Sequence, residues 1–345
     1  MEAAKTNDRL IVSVSPHLRS DVSVRAIMWT VTAALAPAWL MGVYYFGPRA
    51  LWVTVATIAS ALAAEALVTR MAGRKTPLAD GSAFLTGLLL AMNLPPSAPV
   101  YIPIVGAFIA VGITKQLFGG LGYNIFNPAL IGRAFVLITW PRAMTTWSAP
   151  TAHFTGIDAA TTATPLGIMK EEGLHALLEK FGSKGELYMD LLFGRIGGSL
   201  GEVSAVALLA GAGYLLYKRY ITWHIPVSFM AAVAIMAWIF GGRDPETQKF
   251  IFFAGDPLFH LLSGGLMLGA WFMATDYVTA PSLRSAQLVF GAGCGLLTVV
   301  IRLWAGFPEG VMFAILLMNC FAPLIDRAMR TEPFGTRKKK EEKKA

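Results

Sequence analysis

The polar run DAATTATPL (158–166) sets an acid and three threonine hydroxyls in the one long loop of an otherwise apolar chain. By residue type alone it reads as a solvated linker. The glycine-rich segment KQLFGGLGYNIFNPALIGRAF (115–135) offers more chemistry. Its glycines let backbones approach closely or take positive φ, and Pro128 cannot donate a hydrogen bond, so a membrane helix would break here. The exposed backbone and the amides of Asn124 and Asn127 could then bind a polar ring system; equally, the glycines could pack helices and the asparagines cap the next one. Arg133 tilts the balance toward function, because a guanidinium in apolar surroundings is costly and normally pairs or faces a cavity.

Two carboxylates lie in comparable places. Asp276, in FMATDYVTAP, closes an apolar segment and reads either as a helix-end acid in contact with water or as part of a cofactor or ion path. Glu65 precedes Thr69 and Arg70, and pairing with neighbouring arginines is favoured over a relay role. The five histidines show no paired helical spacing, so no haem or metal site is expected. Cys294 and Cys320 sit in apolar segments without metal-ligand spacing and are expected to be core thiols.

The elements that must position these residues are membrane helices. Of the 345 residues, 55% are hydrophobic and only 14% charged, and the mean hydropathy is +0.56, too apolar for an ordinary soluble domain. Long apolar runs at 26–46, 50–68, 100–114, 200–217, 225–240, 258–274, 288–301 and 311–325, with weaker ones at 83–94 and 128–140, predict about ten transmembrane segments, some interrupted. The first 25 residues are polar and lack a cleavable signal. With the N-terminus in the cytoplasm, 19 of the 29 Lys and Arg residues fall on the cytoplasmic side, which predicts both termini inside and the 141–198 loop outside. The net charge of +8 comes largely from the tail RKKKEEKKA and suits a lipid surface, so no nucleic-acid partner is expected.

The halves echo each other. GSAFLTGLLLAMNLPPSAP resembles HLLSGGLMLGAWFMATDYVTAP, and GGLGYNIFNPALIGRAF resembles AGFPEGVMFAILLMNCFAPLID. With five spans per copy the second copy would be inverted, as in many transport proteins. The expected organisation is an N-terminal segment (1–25), a first five-helix repeat (26–140), an external loop (141–198), a second five-helix repeat (199–327) and a basic tail (328–345). On these features alone, a channel or secondary transporter for a small polar solute is one reading.

Taken together, SPH (15–17), GGLGYNIFNPALIGRAF, FMATD and above all DAATTATPL resemble the family formed by the D subunits of Rnf ion-translocating oxidoreductase complexes and the B subunits of sodium-pumping NADH:quinone reductases. The likeness runs from about residue 15 to 326, and the short stretch before SPH favours the Rnf D subunit. Family members carry FMN joined through its phosphate to a threonine, and Asp158, Thr161, Ala163 and Thr164 fit the attachment pattern. The resemblance therefore implies that Thr164 is flavinylated by a transferase; Thr162, often glycine in the pattern, leaves a second hydroxyl nearby. It also implies a noncovalent riboflavin near Lys115, Asn124 and Asn127, with Arg133 and Asp276 as neighbours.

The function so implied is a flavin-carrying subunit in the prokaryotic cytoplasmic membrane, part of a complex that couples electron transfer between ferredoxin and NAD to sodium or proton translocation. The chain has no dinucleotide fingerprint and no cysteine set for iron–sulfur clusters. It is not expected to be catalytic alone. Its partners would be iron–sulfur subunits and a second subunit with covalent FMN.

Overall fold

The computed structural model describes residues 22–74, 78–150, 161–243, 250–307 and 309–329. Helix α1 (Val24–Phe46) starts where Ser23 Oγ accepts from the Ala26 amide. Gly47, at φ 70°, turns the chain into α2 (Pro48–Met71), whose leading proline needs no amide partner. A 3₁₀ turn (Leu78–Asp80) leads to α3 (Ser82–Met92), then α4 (Tyr101–Ala107), which runs on in π-helical geometry over Phe108–Gln116, and α5 (Pro128–Thr139).

Short elements follow: α6 (Pro141–Met144), the antiparallel strands β1 (Trp147–Ser148) and β2 (Thr161–Thr162), then α7 (Pro165–Glu171), α8 (Gly173–Phe181) and α9 (Lys184–Phe193). The second half comprises α10 (Ala205–Tyr217), α11 (His224–Phe240), the pair β3 (Gly242–Arg243) and β4 (Phe250–Ile251), α12 (Pro257–Leu262), α13 (Leu266–Leu268) continued as a π segment over Gly269–Met273, α14 (Arg284–Trp304) and α15 (Val311–Ala328).

Among the described residues, α1, α2, α14 and α15 are long and apolar enough to cross a membrane, and five shorter apolar helical stretches accompany them. Leu40, Trp52, Ile138, Leu296 and Leu324 point outward from these helices, as a lipid-facing surface requires. The chain is an all-α, multi-pass membrane protein, with four two-residue strands among the described residues.

Two packing devices position the site. A Cβ on Gly132 of α5 would stand 2.6 Å from the Gly106 carbonyl oxygen of α4, so the glycine lets these two helices approach closely. Between α12 and α13 the helix is broken by Gly264 and Gly265, both with φ between 60° and 70°. The carbonyls of His260, Ser263 and Gly264 that the break leaves unpaired accept from the Arg302 guanidinium at 2.6, 2.8 and 3.2 Å.

In the fold itself, two features differ from the sequence reading. Residues 165–193, expected within a loop, form three short helices with an apolar core of their own built from Leu166, Ile168, Leu177, Leu187 and Leu191, packed on Phe259 of α12. The leucines recur at near-helical spacing, but the intervening polar residues hide the pattern. Cys294 is buried as expected, whereas Cys320 is exposed on the outward face of α15, because its position on the helix turns it away from α14 and α5.

Candidate functional site

Four of the predicted site residues converge. Lys115 from the π segment after α4, Asn124 and Asn127 from the loop before α5, and Asp276 after the second π segment line one cavity, with Ser82 of α3 and Trp271. The geometry of each follows from its local structure. Asn127 Oδ1 accepts from the Ala129 and Leu130 amides at 3.1 and 3.4 Å, capping α5 ahead of Pro128, while its Nδ2 donates to the Met273 carbonyl at 3.2 Å. Asn124 Nδ2 donates to the Phe126 carbonyl, and Asp276 accepts from the Thr279 hydroxyl. Both asparagine amides thus work first as structural caps and ties.

Lys115 is 2% exposed, and its ammonium donates to Glu65 Oε1 and to Ser82 Oγ, each at 2.6 Å. Gln116 Nε2 adds a bond to Glu65 Oε1 at 2.7 Å, and Asp80 Oδ1 accepts from the Ser82 hydroxyl at 2.7 Å. Glu65, expected to pair with neighbouring arginines, instead faces inward and pairs with Lys115, because its position on α2 falls on the buried side. This cavity measures about 70 Å³. That is a few water volumes and well below a typical small-molecule pocket.

Arg133 does not join them. It lines a second, larger cavity of about 440 Å³, within the range of small-molecule pockets. The walls come from Leu137 of α5, Met144, Trp147, Phe307 and Met312, and the polar groups from Thr164, Arg133, Glu171 and Glu309. Arg133 is 7% exposed; it donates to Asn93 Oδ1 at 2.8 Å and is ion-paired with Glu309 Oε2.

Thr164 is buried at the edge of this cavity and is the N-cap of α7, its hydroxyl accepting from the Gly167 amide at 3.1 Å ahead of Pro165. Ala163 lines the cavity beside it. Thr161 and Thr162 lie in β2 opposite Ser148 and Trp147. The Thr162 hydroxyl is engaged by Lys180 at 2.9 Å and is not part of the cavity wall. Asp158 lies outside the described residues.

Sequence reasoning missed Ser82, Glu202 and Glu309. Glu202 is also buried. A signal existed: both glutamates precede long apolar runs, in GEVSAVALLAG and PEGVMFAILL, where a charge is costly unless paired. Outside the apolar helices, burial and then Asp256 push the Tyr188 hydroxyl up to about 12; it donates to Asp256, the N-cap of α12, and so ties the α7–α9 unit to that helix. No group of three or more His, Cys, Asp or Glu residues suited to a metal occurs among the described residues.

Comparison with known proteins gives this arrangement its context. A model of the NQR2, RnfD, RnfE family matches residues 11–335. The chain is 49% identical over 337 residues to the D subunit of the proton-translocating ferredoxin:NAD(+) oxidoreductase complex of Clostridium ljungdahlii, covering 98% of this chain and 99% of that protein. It is 42% identical over 340 residues to the D subunit of the Na(+)-translocating ferredoxin:NAD(+) oxidoreductase complex of Acetobacterium woodii, covering 97% and 98%. It is also 42% identical over 344 residues to the D subunit of the ion-translocating oxidoreductase complex of Stutzerimonas stutzeri, covering 91% and 92%. A match that takes in all the apolar helices, both cavities and the Thr164 cap assigns the chain to the NQR2, RnfD, RnfE family.

Proposed function

We propose that this chain is a membrane subunit of an Rnf-type complex coupling electron transfer between ferredoxin and NAD to ion translocation, and that it carries FMN as a phosphoester on Thr164. The observation that carries the second part is the placement of Thr164 on the wall of a cavity of about 440 Å³ with aromatic and aliphatic sides and a buried cation. Such a cavity fits a tricyclic ring with apolar faces and polar edges. When bound, the flavin supplies exchange of one or two electrons.

The chain's own residues do the rest. Trp147, Phe307 and Met312 keep water from the ring, and Thr164 fixes one end of the cofactor at high effective concentration. Gly132 allows α5 to approach α4 closely enough to hold Arg133 at the cavity. Electron donors and acceptors would sit in partner subunits. The noncovalent riboflavin expected beside Lys115, Asn124, Asn127 and Asp276 has polar partners there, but about 70 Å³ does not fit its ring, and we derive no step through it.

The order of elements supports two inverted five-helix units, α1 to α5 and α10 to α15, the short α3 corresponding to the interrupted α12–α13, and each followed by a segment that includes π-helical geometry. On this reading the termini face the cytoplasm, and the α7–α9 unit, modified by a flavin transferase, faces outward. The attachment is tested by in-gel flavin fluorescence of the denatured chain co-expressed with its transferase. A fluorescent wild-type band that disappears in Thr164→Val is expected. A dark wild-type band would remove the flavin from this reading and favour a colourless transport protein.

A further inference from the structure

In two residues that line the larger cavity, a buried polar atom has no protein partner among the described residues: Arg133 Nε and Glu309 Oε1. Their sister atoms are committed, Arg133 Nη1 to Asn93 and Nη2 to Glu309 Oε2, so the ion pair leaves one donor and one acceptor unmatched. A buried N–H and a buried carboxylate oxygen left unpaired are unfavourable, and such pairs persist where a ligand completes them. Thr164 lines the same cavity, and Asn93 Oδ1 accepts from Arg133 Nη1.

We infer that Arg133 and Glu309 bind the imide edge of the ring tethered to Thr164, Arg133 Nε donating to a ring carbonyl and Glu309 Oε1 accepting from the ring N–H, and that Arg133 thereby sets how readily the ring accepts electrons. This rests on the attachment proposed above. An imide edge alternates carbonyl, N–H and carbonyl, which matches a neighbouring donor and acceptor. Reduction by two electrons from a titrating reductant and one proton from solvent leaves one negative charge on the ring. A guanidinium at that edge favours the charge and a carboxylate opposes it, and low surrounding dielectric strengthens both effects. The two residues therefore pull the potential in opposite directions.

The test is a spectroelectrochemical titration of the full-length chain, flavinylated in cells and purified in detergent, with Thr164→Val as the blank for any unattached flavin. At the wild-type midpoint, Arg133→Gln is expected to lower the ratio of reduced to oxidised flavin at least tenfold, about 30 mV for a two-electron couple. Glu309→Gln is expected to raise it, and Arg133→Lys, which keeps the charge, to stay nearer wild type while shifting the ring carbonyl stretch in the infrared difference spectrum. Fluorescent bands in all variants with unchanged midpoints, or shifts of the same sign in Arg133→Gln and Glu309→Gln, would overturn the assignment while leaving the attachment intact. A dark wild-type band would overturn both. Should Arg133→Gln fail to fold, Glu309→Gln and Arg133→Lys still decide the sign and the carbonyl contact.

Discussion

Replacing Lys115 with methionine tests whether the buried ion pair holds the first half of the protein together. Glu65 is fully buried and Lys115 is 2% exposed, and the bond between them is 2.6 Å. Removing one member of such a pair strands the other, at a cost of about 3–5 kcal/mol. Gln116 would remain on Glu65 Oε1, so the lower end, about 3 kcal/mol, is expected. Glu65→Gln strands the ammonium with Ser82 alone and should cost about as much.

The double variant removes both charges and should cost no more than either single one, giving a coupling energy of about 3 kcal/mol. The assay is thermal unfolding in detergent followed by fluorescence of the nine tryptophans, at one scan rate because membrane-protein unfolding is commonly irreversible. At about 2 °C per kcal/mol, each single variant should unfold roughly 6 °C below wild type. A Lys115→Met protein that unfolds with wild type, or a double variant whose loss equals the sum of the singles, would refute the reasoning.

Gly132→Ala places a methyl group 2.6 Å from the Gly106 carbonyl oxygen and 2.9 Å from Ala110 Cβ, so it should cost about 1–3 kcal/mol by overpacking and lower the unfolding temperature measurably. Tyr188→Phe should cost about 1 kcal/mol at neutral pH by removing the bond to Asp256. Because the Tyr188 hydroxyl is raised from 10.0 to about 12 in the folded protein, its contribution is complete below pH 10 and lost as pH rises through 12. Stability curves of wild type and Tyr188→Phe should therefore converge over that window, and near-ultraviolet titration of the variant should lack one late-ionising tyrosine.

The membrane class and the helical content were legible in the chain because apolar runs long enough to span lipid have few other uses, and α1, α2, α14 and α15 fall where those runs lie. Local chemistry was legible in part, the asparagines before Pro128 being expected as caps and Thr164 being expected in a loop. Each of the pairs Asn127-Pro128, Thr164-Pro165 and Asp256-Pro257 starts a helix, as a capping side chain followed by a residue without an amide should. The grouping of Lys115, Asn124, Asn127 and Asp276 was also anticipated, through resemblance rather than spacing.

Tertiary structure alone decided the partners. Glu65 and Lys115 are 50 residues apart, and Arg133 and Glu309 are 176 apart, so no local pattern joins them. Which carboxylate meets which cation depends on helix rotation and on the close approach at Gly132, and both are set by packing across the whole bundle. The same holds for Thr164. The sequence by itself set a threonine ahead of a proline in a polar run, and only the fold made that threonine the cap of a helix at a cavity with a buried arginine, because the cavity is made by four separate stretches of chain that no linear motif can bring together.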